Sequence, residues 1–328
     1  MTAGQPKSVS PVPEHLEDGS SAPECRGFVD HDWYVEETAA AIRQSFRIAS
    51  VLHEEQSPYQ RIAVYDTPFF GRLMTLDDIV MLTERDEFIY HEMLVHIPLC
   101  SLDDPKTVLI VGGGDAGCLR EVLKHDTIER VVQVDIDRRV TEVAQEHFDW
   151  VTPALSDPRA EVLFEDGVDY LVRHPEEFDL VVIDSTDPRG FALNLFLSDF
   201  YKSVARALRP QGVMTAQTES PYWSTPMVGA IYGELRDAFD HVEAYLAQVP
   251  TYASGTWTMA LAGARPLAAK DRQRCDRLAP SCGYYNAAVH DAAFALPNCV
   301  RRAIEGINDF AKHDARLIGT TGAPAPVD

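Results

Sequence analysis

The sequence predicts an α/β protein of the methyltransferase-like type, a Rossmann-type doubly wound sheet preceded by a small N-terminal β domain. Three observations lead there. From Thr107 onward, apolar strand-like runs (TVLIV, VVQVD, AEVLF, FDLVVID, GVMTAQ) alternate with helical segments, the pattern of a mostly parallel sheet covered on both faces. The stretch VLIVGGGDAGCLREVLKH, residues 108 to 125, joins the first of those strands to a glycine loop and then to a helix. The last two runs, HVEAYLAQV and TWTMALA, follow each other without the usual helix between them. That spacing predicts an antiparallel hairpin at one sheet edge, which favours the methyltransferase variant over a dehydrogenase with a second substrate domain.

A chain of 328 residues holds one large domain with a smaller appendage. Residues 1–30 mix Pro, Ser, Gly and Glu with few large apolar side chains and read as a disordered arm, and the tail at 313–328, ending GTTGAPAPVD, reads the same way. Residues 31–84 form the N-terminal β domain, because FRIASVLHEEQ, YQRIAVYD and GRLMTLDDIVML alternate or cluster β-formers around turn residues. Residues 85–312 form the catalytic domain. It opens with ERDEFIYHEMLVHIPLC, whose apolar Phe88, Ile89, Met93, Leu94 and Ile97 follow helical spacing. The charged start of that helix, ERDEF, reads as a solvated, acid-rich first turn.

A formal charge of -22 argues against nucleic acid, which needs a cationic surface, and suits a cationic ligand. No run approaches the ~20 apolar residues of a membrane span, and the N-terminus lacks a basic region followed by an apolar one, so a cytoplasmic protein without membrane partners is expected. Six cysteines, at 25, 100, 118, 275, 282 and 299, form no C-x-x-C pair or zinc spacing and read as reduced thiols, with Cys118 a packing residue.

Gly112, Gly114 and Gly117 stand at G-x-G-x-x-G spacing after a strand, and Asp135 ends the next one, where an acid accepts hydrogen bonds from ribose hydroxyls. That much fits a nicotinamide or an S-adenosyl sulfonium nucleoside equally. FDLVVID delivers Asp184 to the carboxyl end of its strand and Asp187 follows in DSTDP, so the two carboxylates either flank a cation or serve as turn formers. Asp166 and Gly167 follow AEVLF, where an acid–glycine pair either meets an adenine edge or caps a helix. His91 and His96 are five residues apart, not the four of a zinc H-E-x-x-H helix, so no metal is assigned there.

Taken in order, SPYQRIAVYDT (57–67), TERDEFIYHEMLVHIPL (83–99), GGGDAGCLREVLKH (112–125), VVQVDID (131–137), EDG (165–167), VVIDSTDPRG (181–190), PTYASG (250–255) and YYNAAVHDAAFALP (284–297) resemble the spermidine synthase family of polyamine aminopropyltransferases, from about Trp33 to Ile304. The resemblance implies transfer of aminopropyl from decarboxylated S-adenosylmethionine, as co-substrate and not prosthetic group, to a small cationic amine such as putrescine, with release of methylthioadenosine. It assigns Asp135 to the ribose, Asp166 and Gly167 to the adenine edge, and Gln60, His91 and Asp115 to the rest of the sulfonium ligand, beside the loop of Gly112 and Gly114. It assigns Asp184 as the base, Tyr90 as its hydroxyl partner, and Asp187 and Tyr252 to the acceptor amine. It implies a homodimer and no metal.

The chain departs from the family pattern at Asp78 and Met81, where glycine and glutamine are usual, at Ala116 for a glycine, at Asp135 for the commoner Glu, and at Arg189 and Phe191 after the aspartate pair. The changes at Ala116 and Asp135 are mild, and the departures together leave the family intact while bearing on the identity of the acceptor and of the donor. Two other classes stay open on the sequence: an N-methyltransferase using intact S-adenosylmethionine, and a noncatalytic polyamine-binding protein on the same scaffold.

Overall fold

The computed structural model describes residues 26–38, 42–188, 190–266 and 270–312. The expectations for residues 1–25 and 313–328, and for Arg189, lie outside the described residues.

Among the described residues, seven strands precede the first helix. β1 (Arg26–Asp30), β2 (Trp33–Thr38) and β3 (Ile42–Arg47) form an antiparallel three-stranded sheet, and β4 (Ser50–Gln56), β5 (Arg61–Thr67), β6 (Gly71–Leu76) and β7 (Ile79–Thr83) form an antiparallel four-stranded one. β1 corrects the expectation of a disordered arm reaching residue 30. RGFVD carries little apolar signal and stays largely exposed, yet it pairs along its whole length with β2, from Arg26 opposite Glu37 to Asp30 opposite Trp33. The pairing strand, not local composition, orders it.

Side chains of β5 and β6 alternate between two cores. Ala63, Tyr65 and Leu73 pack with Tyr34 and Phe46 of the first sheet, while Ile62, Val64, Met74 and Leu76 join the main core beneath helix α1 (Glu87–Cys100). The β region is therefore clamped to the catalytic domain. Every residue of α1 except Phe88 is buried, which explains why it carries few polar positions beyond those with partners.

The main sheet has seven strands in the order β10-β9-β8-β11-β12-β14-β13. β8 (Thr107–Gly112), β9 (Arg130–Asp135), β10 (Ala160–Phe164), β11 (Phe178–Asp184) and β12 (Leu208–Gln217) are parallel, and β13 (His241–Ala247) and β14 (Trp257–Gly263) make the expected antiparallel edge hairpin. Because the strand period is two, Val108 and Ile110 enter one core and Leu109 and Val111 the other, so TVLIV must be apolar throughout. Helices α2 (Gly117–Leu123), α3 (Arg138–His147), α4 (Val151–Leu155), α5 (Gly167–Arg173), α6 (Ser198–Ala207), α7 (Thr225–Arg236), α8 (Arg272–Leu278), α9 (Ala287–Ala293) and α10 (Asn298–Ile304) complete the described helices. Among the described residues, no helix is long and apolar enough to cross a membrane.

Candidate active site

Five parallel strands turn their carboxyl ends to one side of the sheet, and the sequence-predicted residues collect there. Gly112 ends β8 opposite Asp184, the last residue of β11. Its φ of 84° and the 2.1 Å that would separate a Cβ from the Asp184 carbonyl oxygen make glycine obligatory. The next residue, Gly113, donates its N–H to that carbonyl at 2.8 Å. Gly114 lies against Asp135, whose Oδ2 would stand 2.9 Å from any Cβ. The glycine loop thus brings Asp184 and Asp135 to its two sides.

Asp115, at the tip of the loop, accepts the Gly117 N–H at 2.6 Å and faces His91 Nε2 at 3.4 Å. His91 Nδ1 meets Glu87 at 2.5 Å, and Arg120 closes the row with bonds of 2.8 and 2.9 Å to the two Glu87 oxygens. Although burial opposes it, Asp115 and Glu87 hold the His91 imidazole well above its ordinary value, and His91 in turn holds the half-buried Asp115 low. The first turn of α1 is therefore not solvated as ERDEF suggested. Glu87 is buried in this ladder, and Asp86 is buried against Thr83 and Thr251, accepting from the Thr251 N–H at 2.9 Å.

The Tyr90 hydroxyl donates to Asp184 Oδ1 at 3.0 Å, and Asp184 Oδ2 is buried without a hydrogen-bond partner. Burial and the nearby Asp115 push the Asp184 carboxyl up, against the pull of His91, Cys118 and Tyr90. Cys118 packs here, fully buried, and burial with Asp184 beside it pushes its thiol well up, which suits a packing residue and not a nucleophile. Tyr90 packs edge-on to Tyr252, whose hydroxyl donates to the Met81 carbonyl at 2.7 Å. The Met81 departure thus leaves its backbone usable as an acceptor. Asp78 adopts a left-handed φ of 65° and forms an ion pair with Arg61, so that departure is also accommodated locally.

Asp135 accepts the Asp137 N–H at 2.7 Å, and burial pushes its carboxyl up to about 7, helped by Asp137, Asp184 and Asp115. The Gln60 side chain donates to Asp137 Oδ2 at 3.1 Å, beside Ser57 at 2.7 Å. This ties the β4–β5 loop to the start of α3. Asp166 caps α5 through the Val168 N–H at 2.7 Å while its neighbour strand β10 runs in register with β9, Phe164 opposite Asp135. Gly167 packs on Val111.

Next to Asp184 opens a cavity of about 220 Å³, lined among others by Tyr90, Asp187, Tyr252 and Trp257. It also takes in Glu36, Gln217 and Glu219, which the sequence reading did not single out. Gln217 and Glu219 stand at the carboxyl end of β12, the same kind of position that flagged Asp184, so the strand run GVMTAQ followed by TES carried a usable signal. Glu36 lies on β2, a strand that composition did not announce. Phe191 falls in the short 3-10 turn Gly190–Phe196 that follows Asp187.

A methyltransferase-type sheet whose glycine loop lies between Asp135 and Asp184, with an acid-lined cavity beside it, is the frame of a group-transfer enzyme. Residues 87–272 match the spermine/spermidine synthase domain family, and residues 32–84 match the spermidine synthase tetramerisation domain. The chain is 41% identical over 269 residues to a polyamine aminopropyltransferase of Thermoanaerobacter sp. (strain X514), covering 82% of this chain and 97% of that one. It is 42% identical over 275 residues to a polyamine aminopropyltransferase of Methylococcus capsulatus (strain ATCC 33009 / NCIMB 11132 / Bath), covering 81% and 94%. A crystal structure of spermidine synthase in complex with the transition state analogue AdoDATO superposes with a TM-score of 0.80 at 36% identity, over 85% of this chain and 97% of that chain. The spermidine synthase from Thermotoga maritima gives 0.78 at 36% identity, over 85% and 96%. The chain belongs to the spermidine synthase family of polyamine aminopropyltransferases and is a transferase.

Proposed function

We propose that this enzyme transfers the aminopropyl group of decarboxylated S-adenosylmethionine to a primary amine of putrescine or a close relative and releases methylthioadenosine. The observation that carries the reading is Asp184, with one oxygen held by Tyr90 and the other buried and unpartnered between the glycine loop and the acid-lined cavity. An aliphatic amine has a pKa of ~10 and arrives protonated, so it must lose a proton before its lone pair can attack. Asp184 accepts that proton. The amine nitrogen then bonds to the propyl carbon next to sulfur, the carbon–sulfur bond breaks, and its electron pair turns the sulfonium into the neutral thioether of methylthioadenosine. The leaving group is already activated by its charge, so alignment and deprotonation carry the rate.

In the same reading Asp135 holds the ribose, Asp166 and Gly167 meet the adenine, and Gly112 and Gly114 let the nucleoside approach the loop. Asp115, kept ionised by His91, receives the donor's amino end, while Gln60 shapes the donor pocket through Asp137. Tyr252 and Asp187 position the acceptor. The enzyme works in the cytoplasm as a homodimer at least, associating through its N-terminal β region, where Phe28, Val29 and Trp33 are exposed. Light scattering of the eluting protein reads that state.

The test is mass spectrometry of the purified enzyme incubated with an amine panel and either S-adenosylmethionine or its decarboxylated form. Methylthioadenosine with an aminopropylated amine supports the reading. S-adenosylhomocysteine with a methylated amine replaces it with an N-methyltransferase, and ligand binding without any product replaces it with a polyamine-binding protein.

A further inference from the structure

Away from the catalytic cleft, the described residues bring together a set of metal-ligating side chains for which aminopropyl transfer has no use. His53 stands on β4, Glu146 is in the last turn of α3, and His147 ends it. One donor atom from each lies within 4.8 Å of the other two. His147 Nε2 is buried without a hydrogen-bond partner, a costly arrangement for an imidazole nitrogen, and His53 Nε2, also buried, faces a carboxylate oxygen of Glu55. The two rings lie 5.8 Å apart between centroids, inclined at 58°.

A fourth donor is close. Glu55 Oε2, two residues along the same strand, stands 3.2 Å from His53 Nε2, and Arg139 of α3 fixes that carboxylate with bonds of 2.8 and 2.9 Å. Arg72 anchors the His147 carbonyl from the β6 side.

We propose that His53, His147 and Glu146, with Glu55 as fourth donor, form a binding site for a divalent transition-metal ion, with Zn²⁺ the best fit. Two imidazoles with carboxylates are donors that zinc takes in tetrahedral geometry, and Zn–N bonds of about 2.0–2.1 Å set donors roughly 3.3 Å apart. Contraction from separations of no more than 4.8 Å is within reach of side-chain rotation. The ion joins β4 of the N-terminal region to the far end of the helix that starts beside Asp137, where Ser57 and Gln60 already make the other junction between the same two parts. Metal binding there stabilises the seating of the β region on the catalytic domain.

The full-length protein is stripped with a chelator, then titrated with Zn²⁺ by calorimetry and with Co²⁺ by visible absorption. His91, Cys118 and Asp184 form a second cluster of possible ligands in the catalytic cleft, so the reading is the difference between wild type and His53→Ala/His147→Ala, which leaves that cluster intact. The expected result is one low-micromolar site per chain with a tetrahedral Co²⁺ spectrum, weakened at least roughly 100-fold in the double variant. Chelated wild type and double variant should melt alike, and Zn²⁺ should raise the melting temperature of the wild type alone. Glu146 is exposed, so Glu146→Gln gives a reading even if the double variant misfolds, with an affinity loss of roughly tenfold. Wild-type affinity in either variant, or no Zn²⁺ binding by the wild type, overturns the proposal.

Discussion

The Tyr90 hydroxyl lies 3.0 Å from Asp184 Oδ1 and is its donor, joining the second turn of α1 to the end of a central strand 94 residues away. A hydrogen bond to a carboxylate contributes about 1.5–3 kcal/mol, which corresponds to roughly 10–100-fold in rate if it acts in the transition state. Tyr90→Phe should lower kcat by that factor. The bond favours the ionised carboxylate, so its loss raises the Asp184 pKa and moves the rising limb of the pH–rate profile to higher pH. Asp184→Asn should lower kcat by roughly 10²–10⁴-fold and keep methylthioadenosine affinity within a few-fold. Unaltered turnover in that variant would remove Asp184 as the base.

As the ribose ligand proposed above, Asp135 should make nucleoside binding pH-dependent. Burial and three neighbouring acids push its carboxyl up to about 7, above the ~3.9 of an unfolded chain. Between those values the folded state keeps a proton that the unfolded state has lost, so this group's contribution to stability declines as pH rises from about 4 to about 7. Ribose hydroxyls donate to the ionised form, so binding expels the proton. Affinity for methylthioadenosine should strengthen as pH rises towards about 7 and level off above it. Calorimetry in buffers of different ionisation heat should detect proton release below about pH 7 that disappears in Asp135→Asn.

Asp86 joins the two parts of the site mechanically. Its carboxylate accepts from Thr83 Oγ1 at 2.6 Å and from the N–H of Thr251, 165 residues away, at 2.9 Å. Thr251 precedes Tyr252 in the segment that lines the cavity beside Asp184, where the acceptor is proposed to bind. Asp86→Ala leaves these buried donors unpaired and should cost about 2–4 kcal/mol. A melting temperature lower by several degrees, with KM for the amine raised more than KM for the sulfonium donor, is the expected outcome in thermal scans and steady-state kinetics.

These residues also show what the sequence made legible. The parallel strands announced themselves because strands buried on both faces must be apolar at every position, and the glycine loop because Gly112 admits no Cβ beside Asp184. The edge hairpin was legible from strand spacing. The burial of Asp86 and Glu87 was not, since acids at a helix start look solvated until Thr251 and Arg120 arrive from distant segments. β1 stayed hidden for the related reason that an exposed strand takes its order from its pairing partner and carries little apolar periodicity, and Glu36 because an acid on a strand looks solvated until the fold buries it beside the cavity. Of the two readings the sequence left open for Asp166, the helix cap is the one seen, and the adenine contact is part of the proposal.

The acceptor cavity should separate diamines from monoamines. A diamine loses one proton at the reacting end and keeps a second ammonium, which needs a carboxylate in a cavity partly closed off from water. Asp187 and Glu219 both line that cavity, Glu219 buried at the end of β12 with a left-handed φ of 73° that aims the chain away from the strand. Two unit charges 4 Å apart attract by about 4 kcal/mol at an effective dielectric of 20, and desolvation and rearrangement offset much of it. Asp187→Asn and Glu219→Gln should each raise KM for putrescine by roughly tenfold, about 1.4 kcal/mol, with a smaller change in kcat. Propylamine lacks the second ammonium, so its KM should hardly change in the residue that holds the distal charge. The variant in which the putrescine-to-propylamine preference collapses identifies that residue, and an undiminished preference in both would place the distal ammonium outside this cavity.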